Sequence, residues 1–222
     1  MNIMDIGWLI VAYIYVILIF IIAEKFLKDK PSFSRKFVHI MVGNCIFIMP
    51  FFNDPYVMVW FLTLPITIGA FLLTKYSPIK IKNGVTDAGH ALGLVYYAGI
   101  WTLLIFLLPD KLWLVSLAIG AMVYGDGFAS LIGQKYGKHN FNLVGDVKSI
   151  EGSLTMFIMI CLMDGIIFLV YSALGYNIPD YNFVFVVLIS LIATFCEAVT
   201  PKGLDNLSVS SISAILYYIL MV

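Results

Sequence analysis

The chain has 222 residues, of which 62% are hydrophobic and only 12% are charged, and its formal net charge is zero. Soluble domains average roughly 45–50% apolar and 25% charged residues, so this composition excludes an ordinary soluble enzyme and indicates an integral membrane protein. The three cysteines lie in three different apolar segments without metal-ligand spacing, and we interpret them as small core residues.

Eight apolar runs of about 17–24 residues follow one another along the chain. A helix needs this length to cross about 30 Å of hydrocarbon, because it rises 1.5 Å per residue. We therefore predict an all-α fold, a polytopic bundle of about eight transmembrane helices in one domain over 1–222. We expect the first run to be a retained membrane anchor, because it has no signal-peptide cleavage site, and roughly 35–222 to form the catalytic bundle. The runs are 6–27, 36–52, 56–74, 88–108, 112–134, 153–174, 182–199 and 206–222.

Basic residues are distributed unevenly over the connections between these runs. Of the 13 lysines and arginines, 12 lie in alternate connections, and only Lys111 lies on the other side. Cytoplasmic loops are enriched in lysine and arginine, so we predict that the N-terminus is outside and that the basic connections are cytoplasmic. The unusual polar residues also gather at this end of the bundle, which we call the basic face.

The second predicted helix opens with RKFVH, in which Arg35 and His39 lie one turn apart on one face. Anchoring at the membrane surface explains the two cations, Arg35 and Lys36, at least as well as ligand binding does. It does not explain His39. In TDAGH, which opens the fourth helix, Asp87 and His90 share a face, and a structural and a catalytic hydrogen bond remain equal alternatives.

The fifth predicted helix combines a small-residue stripe with an acid inside an apolar run. The stripe lets another helix approach closely, either within the chain or from a second copy in a homodimer. Packing explains the stripe but not Asp126, which lies about 13 Å along the helix axis from Lys135. A carboxylate there costs about 2.5–3.5 kcal/mol, so Asp126 should face a partner, a cation or a water-filled cavity. The stripe consists of Ala121, Gly125, Ala129 and Gly133.

Further acids mark the last three helices. In KSIEG, Lys148 and Glu151 stand three positions apart, and at the membrane level of Asp126 they predict a phosphate and metal site, although Ser149 could simply cap the sixth helix. Glu197 ends the seventh helix, where an acid opposes the helix dipole and needs other stabilisation.

Asp205 either caps the eighth helix or contributes to the site. Asp164 lies deep in the sixth run, far from the basic face, and we expect it to make a hydrogen bond between helices.

Four ordered blocks resemble one known family: RKFVH, GDGFASLIGQKYGK, KSIEGS and EAVTPKGLDNLSVS. They are similar to the CTP-dependent lipid-alcohol kinases, which include dolichol, phytol and farnesol kinases and a CTP-dependent diacylglycerol kinase. This family is distantly similar to the CDP-lipid cytidylyltransferases. The resemblance covers roughly residues 35–210. It implies transfer of the CTP γ-phosphate to the hydroxyl of a membrane isoprenoid alcohol, of the polyprenol, phytol or geranylgeraniol type, assisted by Mg²⁺.

The resemblance also implies roles for individual residues. The catalytic set is Asp126, His39, Lys148 and Glu151, with Asp126 and His39 as the two candidates for the general base. The nucleotide and phosphate set is Arg35, Lys36, Gly125, Gly133, Lys148, Gly152 and Asn206. The metal set is Asp126 and Glu151, with Glu197 and Asp205 as further candidates, because hard cations prefer oxygen ligands.

Three other functions compete with this interpretation. A cytidylyltransferase would also use CTP, a metal and a lipid, but it would attack the α-phosphate, whereas a diacylglycerol kinase would differ only in its acceptor. A small ion-coupled transporter would carry polar residues across the whole membrane depth, and here they cluster at one face. The expected partners are CTP, the lipid alcohol and the bilayer, with the active site facing the cytoplasm, and we expect no nucleic-acid partner.

Overall fold

The computed structural model describes residues 2–77, 92–144, 146–201 and 203–222. Within these ranges the chain forms eight helices, and a two-stranded hairpin lies between the fifth and the sixth. The helices are α1 (Ile3–Phe26), α2 (Pro31–Gly43), α3 (Pro55–Leu72), α4 (Gly93–Leu107), α5 (Pro109–Tyr136), α6 (Ile150–Ala173), α7 (Phe183–Ala198) and α8 (Asp205–Met221). The strands are β1 (Asn140–Asn142) and β2 (Val147–Ser149), which pair antiparallel.

The predicted all-α membrane fold is confirmed, and each predicted run overlaps one of the eight helices. Four helices in the described part, α1, α3, α5 and α6, are long and apolar enough to cross a membrane. Two others, α4 and α7, are apolar but shorter. α2 ends at Gly43, earlier than predicted, and two 3₁₀ turns continue to Phe51. Glycine and asparagine are poor helix formers, and the Asn44 side chain bonds outward to Tyr15 and Tyr124.

α5 is the central helix of the bundle, because it packs against α2, α4, α6, α7 and α8. In the most apolar 18-residue stretch of α5, 78% of the residues are buried, compared with 17% in that of α1. α1 lies at the edge of the bundle and contacts mainly α2. In its middle, α5 widens into a π-helical segment, Ala121–Asp126. Such segments interrupt the regular i→i−4 hydrogen bonding and occur often at functional sites.

The small-residue stripe of α5 packs against α6 of the same chain. A Cβ atom added to Gly125 would lie 2.9 Å from the Ile160 side chain, and one added to Gly133 would lie 2.9 Å from the Ser149 hydroxyl. Both glycines therefore allow α5 and α6 to approach closely, as small residues do between membrane helices. Of the two uses that the sequence left open, packing within one chain accounts for these positions.

The hairpin that precedes α6 was not predicted from the sequence. Its register pairs Phe141 with Lys148, and the Ile150 amide then donates to the His139 carbonyl at 3.0 Å. Each strand has three residues, too few to show an alternating pattern in the sequence. The hairpin places Lys148 at the basic face, and Ser149 caps α6 by accepting the Gly152 amide at 3.1 Å.

Asp164 makes the predicted hydrogen bond between helices. It is fully buried in α6, and its carboxylate accepts a short hydrogen bond from the Tyr217 hydroxyl of α8. This contact joins α6 to α8 in the interior of the bundle, away from the basic face. The pair Asp87 and His90 lies outside the described residues.

Candidate active site

Asp126 ends the π-helical segment of α5, and its side chain is almost completely buried at 5% exposure. Lys36 of α2 donates to its Oδ2 atom at 2.6 Å and is itself buried. A buried carboxylate without a partner would be strongly destabilising, and this lysine supplies the opposite charge. The prediction that Asp126 faces a partner is therefore correct, and the partner is Lys36.

A second ion pair, between a partly buried lysine and a buried glutamate, lies on the neighbouring wall of the site. Lys148 of β2 donates to Glu197 Oε1 at 2.6 Å, to the Glu197 carbonyl, and to the Thr200 carbonyl at 3.4 Å. The Glu197 carbonyl belongs to the last turn of α7 and Thr200 follows the helix, so the lysine lies at the C-terminal end, where a cation interacts favourably with the helix dipole. The lysine thus provides the stabilisation that an acid at the end of a helix requires.

Three carboxylates from three helices converge between these lysines. One ligand oxygen from each of Asp126, Glu197 and Asp205 lies within 4.8 Å of the other two. Asp205 is held by the backbone, because its Oδ1 atom accepts from the amides of Gly203 and Asn206 at 3.1 and 2.9 Å. Three carboxylates and two lysines leave an excess of one negative charge when all five groups are ionised. Oxygen ligands and this excess charge fit a hard divalent cation.

His39 lies beside the Asp126 carboxylate without bonding to it directly. Its Nε2 atom is 3.8 Å from Asp126 Oδ2, beyond hydrogen-bonding distance, and 3.4 Å from the Met122 carbonyl. The imidazole packs on the Tyr97 ring at 4.6 Å, and the Tyr97 hydroxyl donates to the His39 carbonyl at 2.9 Å. These contacts fix the ring next to the carboxylate group.

All these side chains line one cavity of about 1400 Å³. The cavity brings together most of the predicted site residues from α2, α5, β2, α6, α7 and α8. Of the predicted site residues, ten line it: Arg35, Lys36, His39, Asp126, Gly133, Lys148, Gly152, Glu197, Asp205 and Asn206.

Glu151, predicted as a metal ligand, lies apart from the three carboxylates. Its Oε1 atom is 2.7 Å from Nδ1 of His139, whose side chain is 73% exposed. The prediction assumed helical spacing between Lys148 and Glu151, whereas Lys148 belongs to a strand and α6 begins only at Ile150. The two side chains therefore point to different surroundings.

Gly125, predicted to bind phosphate, lies against α6 and not on the cavity wall. It neighbours Asp126 in sequence, but consecutive helical residues point about 100° apart around the axis. Met156 and Ile160 cover the Gly125 side of the helix.

Sequence reasoning missed two polar residues that complete the wall, Ser32 and Gln134. Ser32 donates to Gln134 Oε1 at 2.9 Å, and Gln134 donates to Ser130 Oγ at 2.8 Å, so a polar chain links α2 to α5. The i, i+4 spacing of Ser130 and Gln134 was the available signal. Asn206 belongs to the predicted nucleotide and phosphate set, but its contact was not predicted: it donates to the Gly93 carbonyl at 3.0 Å and ties α8 to the start of α4. No local sequence pattern predicts that contact, because the two residues are 113 positions apart.

The cavity continues from the charged groups into an apolar arm between α2, α3 and α4. Only the charged end resembles a site for phosphates, because the arm is lined by hydrocarbon and aromatic side chains. We define the apolar arm by Val42, Cys45, Leu62, Ala70, Ala98 and Trp101. The whole cavity can therefore hold a molecule that is polar at one end and apolar over most of its length.

The similar proteins that comparison identifies are described as phytol kinases. No family model matches the chain, and no solved structure matches it. The phytol kinase of Synechocystis sp. is 29% identical over 202 residues, which cover 82% of this chain and 77% of the relative. Probable phytol kinase 2 of Glycine max, a chloroplastic protein, is 30% identical over 209 residues, which cover 90% and 68%. A probable chloroplastic phytol kinase of Zea mays is 29% identical over 228 residues, which cover 90% and 70%.

Proposed function

The chain belongs to the phytol kinase family, and we propose that it transfers the γ-phosphate of CTP to the hydroxyl of an isoprenoid alcohol held in the membrane. The observation that carries this proposal is the two-part cavity, in which an apolar arm meets three carboxylates and two lysines. The alcohol is of the polyprenol, phytol or geranylgeraniol type. The enzyme is a phosphotransferase with an alcohol group as acceptor.

The location of the site follows from the solubility of the two substrates. CTP is a water-soluble polyanion, whereas the tail of the alcohol is confined to the bilayer, so they meet only at the membrane surface. The charged end of the cavity lies at the basic face of the bundle, which we propose is cytoplasmic. CTP enters from the water, and the alcohol reaches the same point through the apolar arm.

We assign the metal to Asp126, Glu197 and Asp205. Hard cations take oxygen ligands, and these carboxylates come within 4.8 Å of one another. A bound Mg²⁺ ion would neutralise the charge that develops on the transferred phosphoryl group. In this proposal Glu151 acts indirectly, because it bonds to His139 and holds the hairpin that carries Lys148.

The phosphates of CTP are assigned to the cations that line the cavity. The ammonium groups of Lys36 and Lys148 each donate to a carboxylate oxygen at 2.6 Å. An ammonium group carries three N–H donors on a flexible side chain, so it can contact that carboxylate and a phosphate oxygen together. Arg35 is exposed at the cavity wall and can bind a phosphate through two parallel hydrogen bonds. Gly133 and Gly152 also line the cavity, and we propose that they act by holding α5 close to α6 beside the phosphates.

The proton of the alcohol passes to Asp126 or His39, the two groups that lie where the charged end meets the apolar arm. Tyr97, which lines the cavity, packs directly on His39, so a hydroxyl that arrives along α4 reaches both candidates. Orientation of this hydroxyl toward the γ-phosphate is the main task, because phosphoryl transfer depends chiefly on alignment and charge neutralisation.

The decisive assay uses purified protein and labelled nucleotides. We expect γ-labelled CTP to transfer its label to geranylgeraniol or phytol, with ATP, GTP and UTP as the nucleotide controls and diacylglycerol as the acceptor control. Transfer of label from α-labelled CTP would instead identify a cytidylyltransferase. Phosphorylation of diacylglycerol in preference to every prenol would contradict the proposed acceptor.

The metal assignment is tested in the same assay. Chelation by EDTA should abolish transfer, and Mg²⁺ should restore it. Asp205→Asn should raise the Mg²⁺ concentration for half-maximal activity by at least roughly 10–100-fold, because loss of a group that only supports a metal ligand already costs that much. Asp110→Asn, at the opposite end of the bundle, is the matched control and should leave that concentration unchanged. An equal Mg²⁺ requirement in both variants would refute the assignment of Asp205.

A further inference from the structure

The apolar arm ends at a thin partition inside the bundle. Beyond it lies a separate void of about 10 Å³, close to the volume that one water-sized probe occupies. The void continues toward Met58 and Ile105, away from the basic face. Four residues line both the arm and the void: Cys45, Leu62, Thr63 and Trp101.

The partition lies well below the charged groups. On α4, Trp101 follows Gly93 by eight residues, which corresponds to about 12 Å along the helix axis. Gly93 marks the basic face because its carbonyl accepts from Asn206, which lines the charged end. Cys45, in the first 3₁₀ turn after α2, follows Lys36 by nine residues and reaches a similar depth. α4 and the continuation of α2 therefore place the end of the arm at the same level.

Trp101 contributes the largest side chain of the partition. It is 6% exposed, and its ring lies 6.3 Å from that of Tyr97, which packs on His39. The aromatic rings of α4 thus follow the arm from the reacting end to its floor. Replacement of the indole by a methyl group would join the arm to the void and extend it toward Ile105.

We propose that the apolar arm binds the hydrocarbon chain of the acceptor alcohol and that Trp101 forms the floor that limits its length. This inference rests on the proposed function, since it names the part of the cavity that selects the substrate. A hydrocarbon chain that fills the arm packs along its whole length against the apolar wall. A longer chain meets the indole of Trp101 and cannot bring its hydroxyl to Asp126.

Gly69 of α3 offers the opposite change. It lines the cavity, and a Cβ atom added there has no heavy atom within 4 Å. Gly69→Leu can therefore place a side chain into the arm without a clash against the protein. Gly7 of α1 also has open space at its Cβ position but does not line the cavity, so Gly7→Leu is the matched control.

The first test compares kcat/KM for farnesol, geranylgeraniol and longer prenols. Trp101→Ala should raise the ratio of longer to shorter alcohols by roughly tenfold or more, the effect of about one extra methylene position in an apolar pocket. Gly69→Leu should lower that ratio by a similar factor. Trp113→Ala, which removes an equally buried indole outside the cavity, should leave it unchanged. Unchanged ratios in the folded Gly69→Leu and Trp101→Ala proteins would overturn the proposal.

The second test does not depend on catalysis. A prenol with a photoreactive diazirine at the end of its chain should label α3 near Leu62 and α4 near Trp101, and unlabelled prenol should compete. Labelling there without phosphoryl transfer would support the arm and contradict the proposed kinase. Phosphorylation with label confined to the lipid-exposed surface of the bundle would contradict the arm and leave the kinase in place.

Discussion

Lys36 and Asp126 form a buried ion pair between α2 and α5, although the two residues are 90 positions apart in the chain. Each is costly inside the bundle without the other, because a buried charge that loses its partner is not resolvated. Structural and catalytic roles of these residues can therefore be separated only when the charges are removed one at a time and then together.

The prediction for this pair concerns stability and activity separately. Lys36→Met and Asp126→Asn should each lower the free energy of unfolding, by about 3–5 kcal/mol when an unpaired charge remains. The double variant Lys36→Met/Asp126→Leu should recover most of this stability but no kinase activity. Unfolding in detergent and transfer from γ-labelled CTP are the measurements. Retention of activity by Asp126→Asn would disprove its assignments as metal ligand and as general base.

Glu151 provides a second test at the scale of single residues, because sequence and structure give it different partners. Its bond to His139 predicts that Glu151→Gln and His139→Ala lower activity by similar factors, about tenfold or less, and that the double variant is no worse than either. Kinetic measurement of the three variants checks this. If Glu151→Gln alone were as inactive as Asp126→Asn, the sequence-based assignment of Glu151 to the metal would be correct.

At the scale of elements, the contact of α5 with α6 determines the spacing of the site. Asp126 and Gly133 belong to α5, whereas Gly152 lies in the first turn of α6, four residues after Lys148 of β2. The two helices approach so closely that a Cβ atom added to Gly133 would lie 3.6 Å from the Gly152 Cα. A wider spacing would separate the lysine and carboxylates that face one another across the cavity.

Gly152→Ala tests this spacing. Its Cβ would lie 2.9 Å from the Ala129 carbonyl oxygen, a backbone atom that cannot turn aside, so we expect a loss of about 1–3 kcal/mol and a lower apparent Tm. Gly165→Ala in the same helix is the control, because the nearest atom to its Cβ is the Tyr181 hydroxyl at 4.0 Å. An equal Tm for both variants would show that the close approach is not required.

At the scale of the whole molecule, the bundle separates two environments. Charged groups gather at the basic face, and the apolar arm descends from them into the interior. The proposed reaction needs both, because one substrate is soluble in water and the other in lipid. Which side of the membrane the basic face occupies decides where CTP, the proposed donor, must be supplied.

The predicted orientation can be measured by cysteine labelling in a chain whose three cysteines are replaced by alanine. A maleimide that does not cross membranes should react with Asp110→Cys in intact cells, and with Lys138→Cys only after permeabilisation. Both positions are exposed and lie at opposite ends of α5 and its following loop. The reverse pattern would place the active site outside and remove cytosolic CTP as the donor.

The sequence by itself determined the helices and the end of the bundle at which polar residues collect. Both depend on properties that accumulate along a single segment: the length of an apolar run and the cost of a charge within it. For this reason the positions of α1, α3 and α6 agree with the predicted runs to within a few residues, and Asp126 stood out before any contact was known.

Only the tertiary structure decided which of these polar residues meet. Glu197 and Asp205 join Asp126, and Glu151 does not, because the direction of each side chain depends on the rotation of its helix and on the turns that precede it. The π-helical segment of α5 and the short hairpin before α6 change those directions, and neither has a pattern in the sequence. The apolar arm likewise exists only where α2, α3 and α4 pack together, since no single helix encloses a cavity.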